Sequence, residues 1–301
     1  MDIVHLPLLP GTSPQFVDTI CLGNFDGFHR GHQQLVIDAT LKSEGRCGVL
    51  LFDRNPADFI NNGKSKRVIS SLEDKIRILE KLRIDVLYVV HVDKAFFELS
   101  ADDFIERYLL PIHVKQVFVG KDFRFGKGAK GTPEVLKKYF EVEVESLAAD
   151  KNEKISTRRI ITLLEEGKIE EANELLGRNY EITGKVVHGL HNGTKLGFPT
   201  ANMELSVPYV VPKNGVYEGL VFVNGLPHRA LVNVGINPTI GVLKNATVEV
   251  YIDNFSGDVY GKTLYLDFLE RIRDEITFTS LDELKNQLQK DKMWLDNKYQ
   301  K

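Results

Sequence analysis

One change of texture limits what this chain can fold into. Up to about Gly177, short apolar runs alternate with amphipathic helical stretches. Beyond it, apolar runs rich in Val, Ile, Thr, Tyr and Phe follow one another with only Gly, Pro and Asn between them. Strands alternating with helices call for a parallel sheet wrapped by helices, whereas consecutive strands close on themselves as an antiparallel barrel or sandwich. One sheet cannot satisfy both patterns, and 301 residues exceed one ordinary core. Two domains are expected, residues 1–178 and 179–301.

In the first part, buried strands are expected at 17–22, 47–52, 86–91 and 116–119. Helices are expected at 33–42, 71–82 and 101–109, with Ser70 or Ser71 capping the second and Pro111 ending the third. Two short helical patterns, 159–166 and 169–176, are punctuated by Gly167 and Gly177. The second part offers strands at 181–187, 216–223, 228–234, 247–252 and 263–269, then a terminal amphipathic helix at 280–289 that can extend to Trp294. The fold class is thus an α/β parallel-sheet domain followed by an antiparallel β-barrel domain with a terminal helix.

The chemistry concentrates where the first strand ends. Gly23-Asn24-Phe25-Asp26-Gly27-Phe28-His29-Arg30-Gly31-His32 lies between an apolar strand and a helix start. A turn there aims backbone N–H groups and a helix dipole at an anion, with two histidines beside it. Gly23, Asn24 and Gly27 permit the turn, His29 and His32 can donate to phosphate oxygens, and Asp26 reads as a helix-entry cap. Ligands of parallel sheets sit beyond the carboxyl ends of the strands. The loop Gly120–Gly131 falls at the same end, with Lys121, Arg124, Lys127 and Lys130 to grip phosphates and two rings, Phe123 and Phe125, to lie against a planar group.

The His-x-Gly-His spacing resembles the signature of the nucleotidyltransferase superfamily. The longer string resembles the bacterial bifunctional riboflavin kinase/FMN adenylyltransferases, also called FAD synthetases. In that resemblance Asp122, Phe123 and Gly126 belong to a flavin- and nucleotide-binding segment, and Ser156 and Thr157 to a Ser-Ser-Thr-x-x-Arg segment that grips ATP phosphates. Two positions differ from the family. Its Phe-x-Pro-His-Pro is Phe52-Asp53-Arg54-Asn55-Pro56 here, and its closing arginine is Ile161.

A second constellation lies in the strand-rich part. Glycines 189, 193 and 197 make a flexible loop running into Phe198-Pro199-Thr200-Ala201-Asn202, where Thr200 and Asn202 offer hard oxygen ligands of the kind Mg²⁺ accepts. The string resembles the riboflavin kinase signature GxxxGxxxGFPTAN. The resemblance extends to Asn214–Tyr217, to the turn Asn233–Thr239, to Val248-Glu249-Val250-Tyr251 and to Arg271–Glu275. It implies that Glu249 is the catalytic base, that Gly189, Gly193 and Gly197 line the substrate loop, and that Arg273 contacts flavin or nucleotide. On spacing alone, Glu249 reads more readily as a solvent-facing charge, and Arg273 can equally be a surface ion pair.

The family implies ATP as co-substrate, Mg²⁺, and riboflavin, FMN and FAD as substrates and products. A riboflavin kinase with a weakened nucleotidyltransferase half, or a flavin-binding regulator without catalysis, are the alternatives. Net charge is −3 with 27% charged residues, which gives no push toward nucleic acid or membrane. No apolar run approaches the length of a membrane span, and the N-terminus lacks a signal peptide's basic region. Cys21 and Cys47 fall in apolar runs and read as reduced core thiols, so a cytoplasmic protein is expected. Nothing in the sequence speaks to oligomeric state.

Overall fold

The computed structural model describes residues 1–8, 15–54, 67–146, 149–150, 153–188, 197–236 and 246–298. Asn55, Gly189, Gly193 and most of the predicted turn after Asn233 lie outside the described residues. Contacts divide the chain into two compact units, Met1–Thr157 and Arg158–Lys301.

The first unit is built on six parallel strands: β1 (Asp2–Leu6), β2 (Thr19–Leu22), β3 (Cys47–Phe52), β4 (Val86–Val90), β5 (Gln116–Gly120) and β6 (Glu141–Glu145). Their order is β1-β4-β3-β2-β5-β6. The four inner strands are those expected. β1 and β6 are additional edges, and the half-exposed Glu-Val alternation of β6 suits an edge whose outer side is charged.

Period-two alternation splits the buried side chains into two layers. Leu22, Leu50, Tyr88 and Val119 pack on Phe104 and Tyr108. Cys21, Val49, Leu87 and Phe118 pack on Leu35, Val36 and Leu79. Both cysteines are buried and free. From β2 the chain proceeds outward through β3 and β4, while β5 and β6 lie on β2's other side. The order therefore reverses between β2 and β5, which pair as far as Leu22 opposite Val119. A crevice at such a reversal is where ligands of open parallel sheets bind. The loop after β2 and the loop after β5 both open there.

The helix Arg30–Lys42 follows β2, and Leu72–Lys81 follows β3. The latter begins on Ser71, whose Oγ accepts from Asp74 N at 3.1 Å while Asp74 Oδ2 accepts from Ser71 N at 2.8 Å. The single helix expected at 101–109 is instead Ala101–Phe104, a wide turn Ile105–Leu109 and a tight turn Leu110–Ile112. Pro111 cannot supply an N–H, so the chain changes pitch around it before stopping.

The helix Thr157–Glu166 starts on the last residue of the first unit; in the second unit its remainder and the helix Ile169–Leu176 precede a hairpin-rich barrel. A short hairpin, β7 (Ala149–Asp150) and β8 (Glu153–Lys154), closes the first unit. The barrel strands are β9 (Tyr180–Val187), β10 (Thr200–Leu205), β11 (Gly215–Val223), β12 (Leu226–Ile236), β13 (Ala246–Ile252) and β14 (Thr263–Arg273). They close in the order β10-β13-β12-β11-β14-β9.

The Gly- and Pro-rich approach to β10 predicts a loop running through Asn202. The segment becomes a strand by pairing with β9 and β13. Asn173 stitches the helix pair to the barrel, donating to Phe268 O at 2.9 Å and accepting from Tyr180 N at 2.7 Å. The terminal helix runs Leu281–Lys298, taking in the extension to Trp294 and one further turn. Ion pairs hold it along its length. Asp291 meets Arg273 at 2.6 Å, Lys292 meets buried Asp253 at 3.2 Å, and Lys298 meets fully buried Glu218 at 2.5 Å.

Candidate active sites

At the first site the turn after β2 is held by backbone conformations few residues tolerate. Phe25 and Phe28 are left-handed, and Gly27 has φ 74°, where a Cβ would come within 3.0 Å of Ile69. Asp26 is buried. Its Oδ1 accepts from Ile69 N at 3.0 Å and Ser70 N at 3.1 Å, and Ser70 Oγ accepts from Gly27 N at 2.9 Å. Asp26 therefore ties two loops together and does not cap the helix.

The cap is His29, whose Nδ1 accepts from His32 N at 3.3 Å. An accepting Nδ1 carries no proton, so neutral His29 presents its N–H at Nε2. The two imidazoles stack at 3.7 Å. Burial, with the charges of His29, Lys75 and Lys154, holds His32 well below the usual histidine range. His32 is thus an uncharged donor at neutral pH. Its Nδ1 is buried without a hydrogen-bond partner. Thr157 Oγ1 donates to Asp26 O at 3.2 Å, which brings the Ser156-Thr157 pair to this turn. Lys75 donates to Asn24 O at 3.1 Å.

The neighbouring loop is anchored at Phe125, which is buried and exchanges backbone hydrogen bonds with Gly131. Phe123 stacks on it at 5.6 Å. Gly126 has φ 70°, and a Cβ there would sit 2.8 Å from Ala101 N. Asp122 bonds Lys154 at 2.6 Å, and that bond lowers its carboxyl below the usual range.

At the second site, β-sheet register does what sequence spacing could not. Glu249 on β13 lies directly opposite Asn202 on β10 and Asn233 on β12, and Thr200 lies opposite Tyr251. Residues opposite one another share a face, so the five form one patch. Thr200, Asn233, Glu249 and Tyr251 line a cavity of about 280 Å³ together with Phe198, Arg273, Phe278, Leu284 and Asp291, while Asn202 pairs with Glu249 without lining it. The terminal helix supplies one wall. Burial raises the Glu249 carboxyl above its ordinary range.

Arg273 lines the cavity, but its fork is engaged. Nε and Nη2 donate to Asp291 at 3.0 and 2.6 Å, and Nη1 donates to Asp274 O at 3.0 Å. Gly197 is described, with φ 84° and open space where a Cβ would stand. Sequence reasoning placed Asn233 and Tyr251 in family strings without giving either a role, and it missed Asp291. Among the described residues no cluster of three or more His, Cys, Asp or Glu is placed to hold a metal. The hard-oxygen set at the second site is Thr200, Asn202 and Glu249. No helix among them is long and apolar enough to cross a membrane.

Residues 14–159 match the family model described as FAD synthetase, and residues 176–298 match that described as riboflavin kinase. The bifunctional riboflavin kinase/FMN adenylyltransferase of Listeria monocytogenes is 36% identical over 297 residues, 96% of this chain and 94% of that one. The Bacillus subtilis protein of that name is 36% identical over 289 residues, 92% and 91% of the two chains. A solved structure, described as a macrolide-efflux protein from Streptococcus pneumoniae, superposes with TM-score 0.86 at 31% identity and covers 97% of this chain and 98% of its own. That description stays with that protein; the match carries fold.

Proposed function

The chain belongs to the bifunctional riboflavin kinase/FMN adenylyltransferase family, and we infer from that premise that it performs both reactions. Riboflavin and ATP give FMN and ADP; FMN and ATP give FAD and pyrophosphate. The observation that carries the kinase assignment is Glu249 facing Asn202 and Asn233 at the mouth of a lined cavity. Glu249 takes the proton of the ribityl 5′-hydroxyl as its oxygen attacks the γ-phosphorus and ADP departs. A carboxyl raised by burial is a better base than an exposed one.

Thr200 and Asn202 would hold Mg²⁺, which when bound withdraws charge from the phosphates; both side chains present hard oxygens beside Glu249. Gly189, Gly193 and Gly197 belong to the substrate-binding string that the family shares. Arg273 shapes the wall through Asp291 and sits at the edge of the flavin or nucleotide subsite.

For adenylyl transfer, the FMN phosphate oxygen attacks the α-phosphorus and pyrophosphate leaves. His29 and His32 donate to the phosphate oxygens, Gly23, Asn24 and Gly27 form the cradle, and Ser156 and Thr157 add hydroxyls. Asp122, Phe123 and Gly126 border the flavin and nucleotide. These roles rest on positioning and on donors fixed in advance. The protein works in the cytoplasm. Incubation with riboflavin, ATP and Mg²⁺, followed by separation of the flavins, tests the assignment; accumulation of neither FMN nor FAD would refute it.

Ile161→Arg is expected to leave FAD synthesis equal or faster, because it returns a cation where the family has one. A fall in FAD formation would show that the helix face, not the missing charge, matters at that position.

We propose a domain boundary near Arg178, beyond the helix pair that contacts group with the barrel. A fragment beginning there is expected to fold and phosphorylate riboflavin. A fragment beginning at Arg158 should melt several degrees higher, because it regains the two Asn173 hydrogen bonds and the buried Ile169, Leu175 and Leu176. Those groups together contribute a few kcal/mol, and each kcal/mol is worth about 2–4 °C in a domain approaching 150 residues. An insoluble shorter fragment beside a soluble longer one would move the boundary to the helix pair.

A further inference from the structure

The helix Leu72–Lys81 carries an ammonium group where a helix ordinarily carries an apolar side chain. Lys75 is 8% exposed. Among the described residues its Nζ makes one hydrogen bond, to Asn24 O at 3.1 Å, although an ammonium has three donors to satisfy. The nearest carboxylates have other work. Asp74 Oδ2 accepts from Ser71 N and its Oδ1 from Arg77, and Asp26 Oδ1 accepts from Ile69 N and Ser70 N. Burial lowers the Lys75 pKa, and Asp26 and Asp74 partly restore it. Such a charge is expensive, and a methionine of similar length would fill the space without the desolvation cost.

Its position accounts for the expense. The Asn24 carbonyl belongs to the turn that enters the helix Arg30–Lys42, beside the two stacked histidines. We propose that Lys75 is a positioning residue for adenylyl transfer: its ammonium, locked on the Asn24 carbonyl, is the fixed positive charge behind His29 and His32.

Both histidines are poor carriers of that charge. The Nδ1 of His29 is occupied by the His32 N–H, and His32 is held neutral by burial. The groups whose positive charge acts against a protonated His32 are His29, when it too is protonated, then Lys75 and Lys154. Lys154 is exposed and bonded to Asp122, so solvent and that carboxylate cancel most of its field. Lys75 acts from the interior, where a charge is far less screened. The rings of Phe25 and Phe28 meet His32 edge-on and add no charge. The division of labour follows: the histidines supply uncharged, directional donors, and Lys75 supplies the potential that favours negative charge growing on the phosphates.

This inference rests on the adenylyltransferase assignment of that turn, so the wild-type protein must first be seen to make FAD from FMN; if it makes none, that assignment fails and not the role of Lys75. Given that activity, Lys75→Met is expected to lose roughly tenfold to a hundredfold in FAD synthesis, with riboflavin phosphorylation unchanged. Its melting midpoint should be no lower than wild type, because a costly buried charge has been removed.

A histidine-ring NMR titration separates this role from a structural one. His32 should take up its proton at higher pH in Lys75→Met than in wild type, and Lys75→Arg should return it toward the wild-type position. An unchanged His32 titration, full FAD synthesis, or a melting midpoint several degrees below wild type would each overturn the proposal.

Discussion

Glu249→Gln is expected to slow riboflavin phosphorylation by two to four orders of magnitude, the range over which a positioned general base acts, while FAD synthesis from supplied FMN continues. Gln keeps the size and the hydrogen-bonding oxygen, so flavin binding should persist. The pH profile adds a second signature. Burial raises the Glu249 carboxyl, so the wild-type kinase should lose activity as pH falls through a value above the ordinary glutamate range of about 4.3. The variant should lack that limb.

The stability sign is opposite to that of a salt-bridged carboxylate. A pKa raised on folding means the folded state binds the proton more readily. The associated stabilisation is present at low pH and is lost as pH rises through the folded value. At neutral pH Glu249 therefore weighs against folding, and Glu249→Gln should melt no lower than wild type. Near-normal turnover in the variant would remove Glu249 as the base.

The parts of these sites that could be read from sequence are the local ones. β2 is four buried residues ending on a glycine turn, and a strand, a turn and a histidine-bearing helix start are all set by neighbours in the chain. Ser71 as a cap follows from the same short range. What could not be read is pairing. Thr-Ala-Asn-Met-Glu-Leu has weak strand character by itself, and only its register against β9 and β13 makes β10 a strand and sets Asn202 across from Glu249. Period two puts Leu231 and Asn233 on one face of β12. That this face adjoins Glu249, with Asp291 arriving from the terminal helix, is a property of barrel closure.

The Asp26 reading failed for a related reason: a residue with the look of a local cap has its partners far away in the chain, at Ile69 and Ser70. Lys75 drew no reading from the sequence, because its partner Asn24 is equally distant. The expected cap role went to His29 because its ring nitrogen, not the Asp26 carboxylate, reaches the free N–H of His32.

That detail makes His32 the cleaner of the two histidines to remove. The helix cap uses the His32 backbone N–H, so His32→Ala leaves the cap intact, whereas His29→Ala removes it and costs about 1 kcal/mol of stability. His32→Ala is expected to reduce FAD synthesis on the order of a hundredfold, the loss of about 2.7 kcal/mol from one donor to a transition-state phosphate. FMN formation, which uses Glu249 and the barrel cavity, should be spared. His32→Gln returns an uncharged donor and should recover part of the rate. Recovery is expected because the buried imidazole donates without carrying charge. Assay of both flavins in one incubation reads the two reactions side by side. Unchanged FAD synthesis in His32→Ala would exclude this imidazole from the transition state. A wild-type protein that makes FMN and no FAD under excess ATP would instead retire adenylyl transfer, leaving a kinase joined to a nucleotidyltransferase fold that Asn55 and Ile161 had disabled.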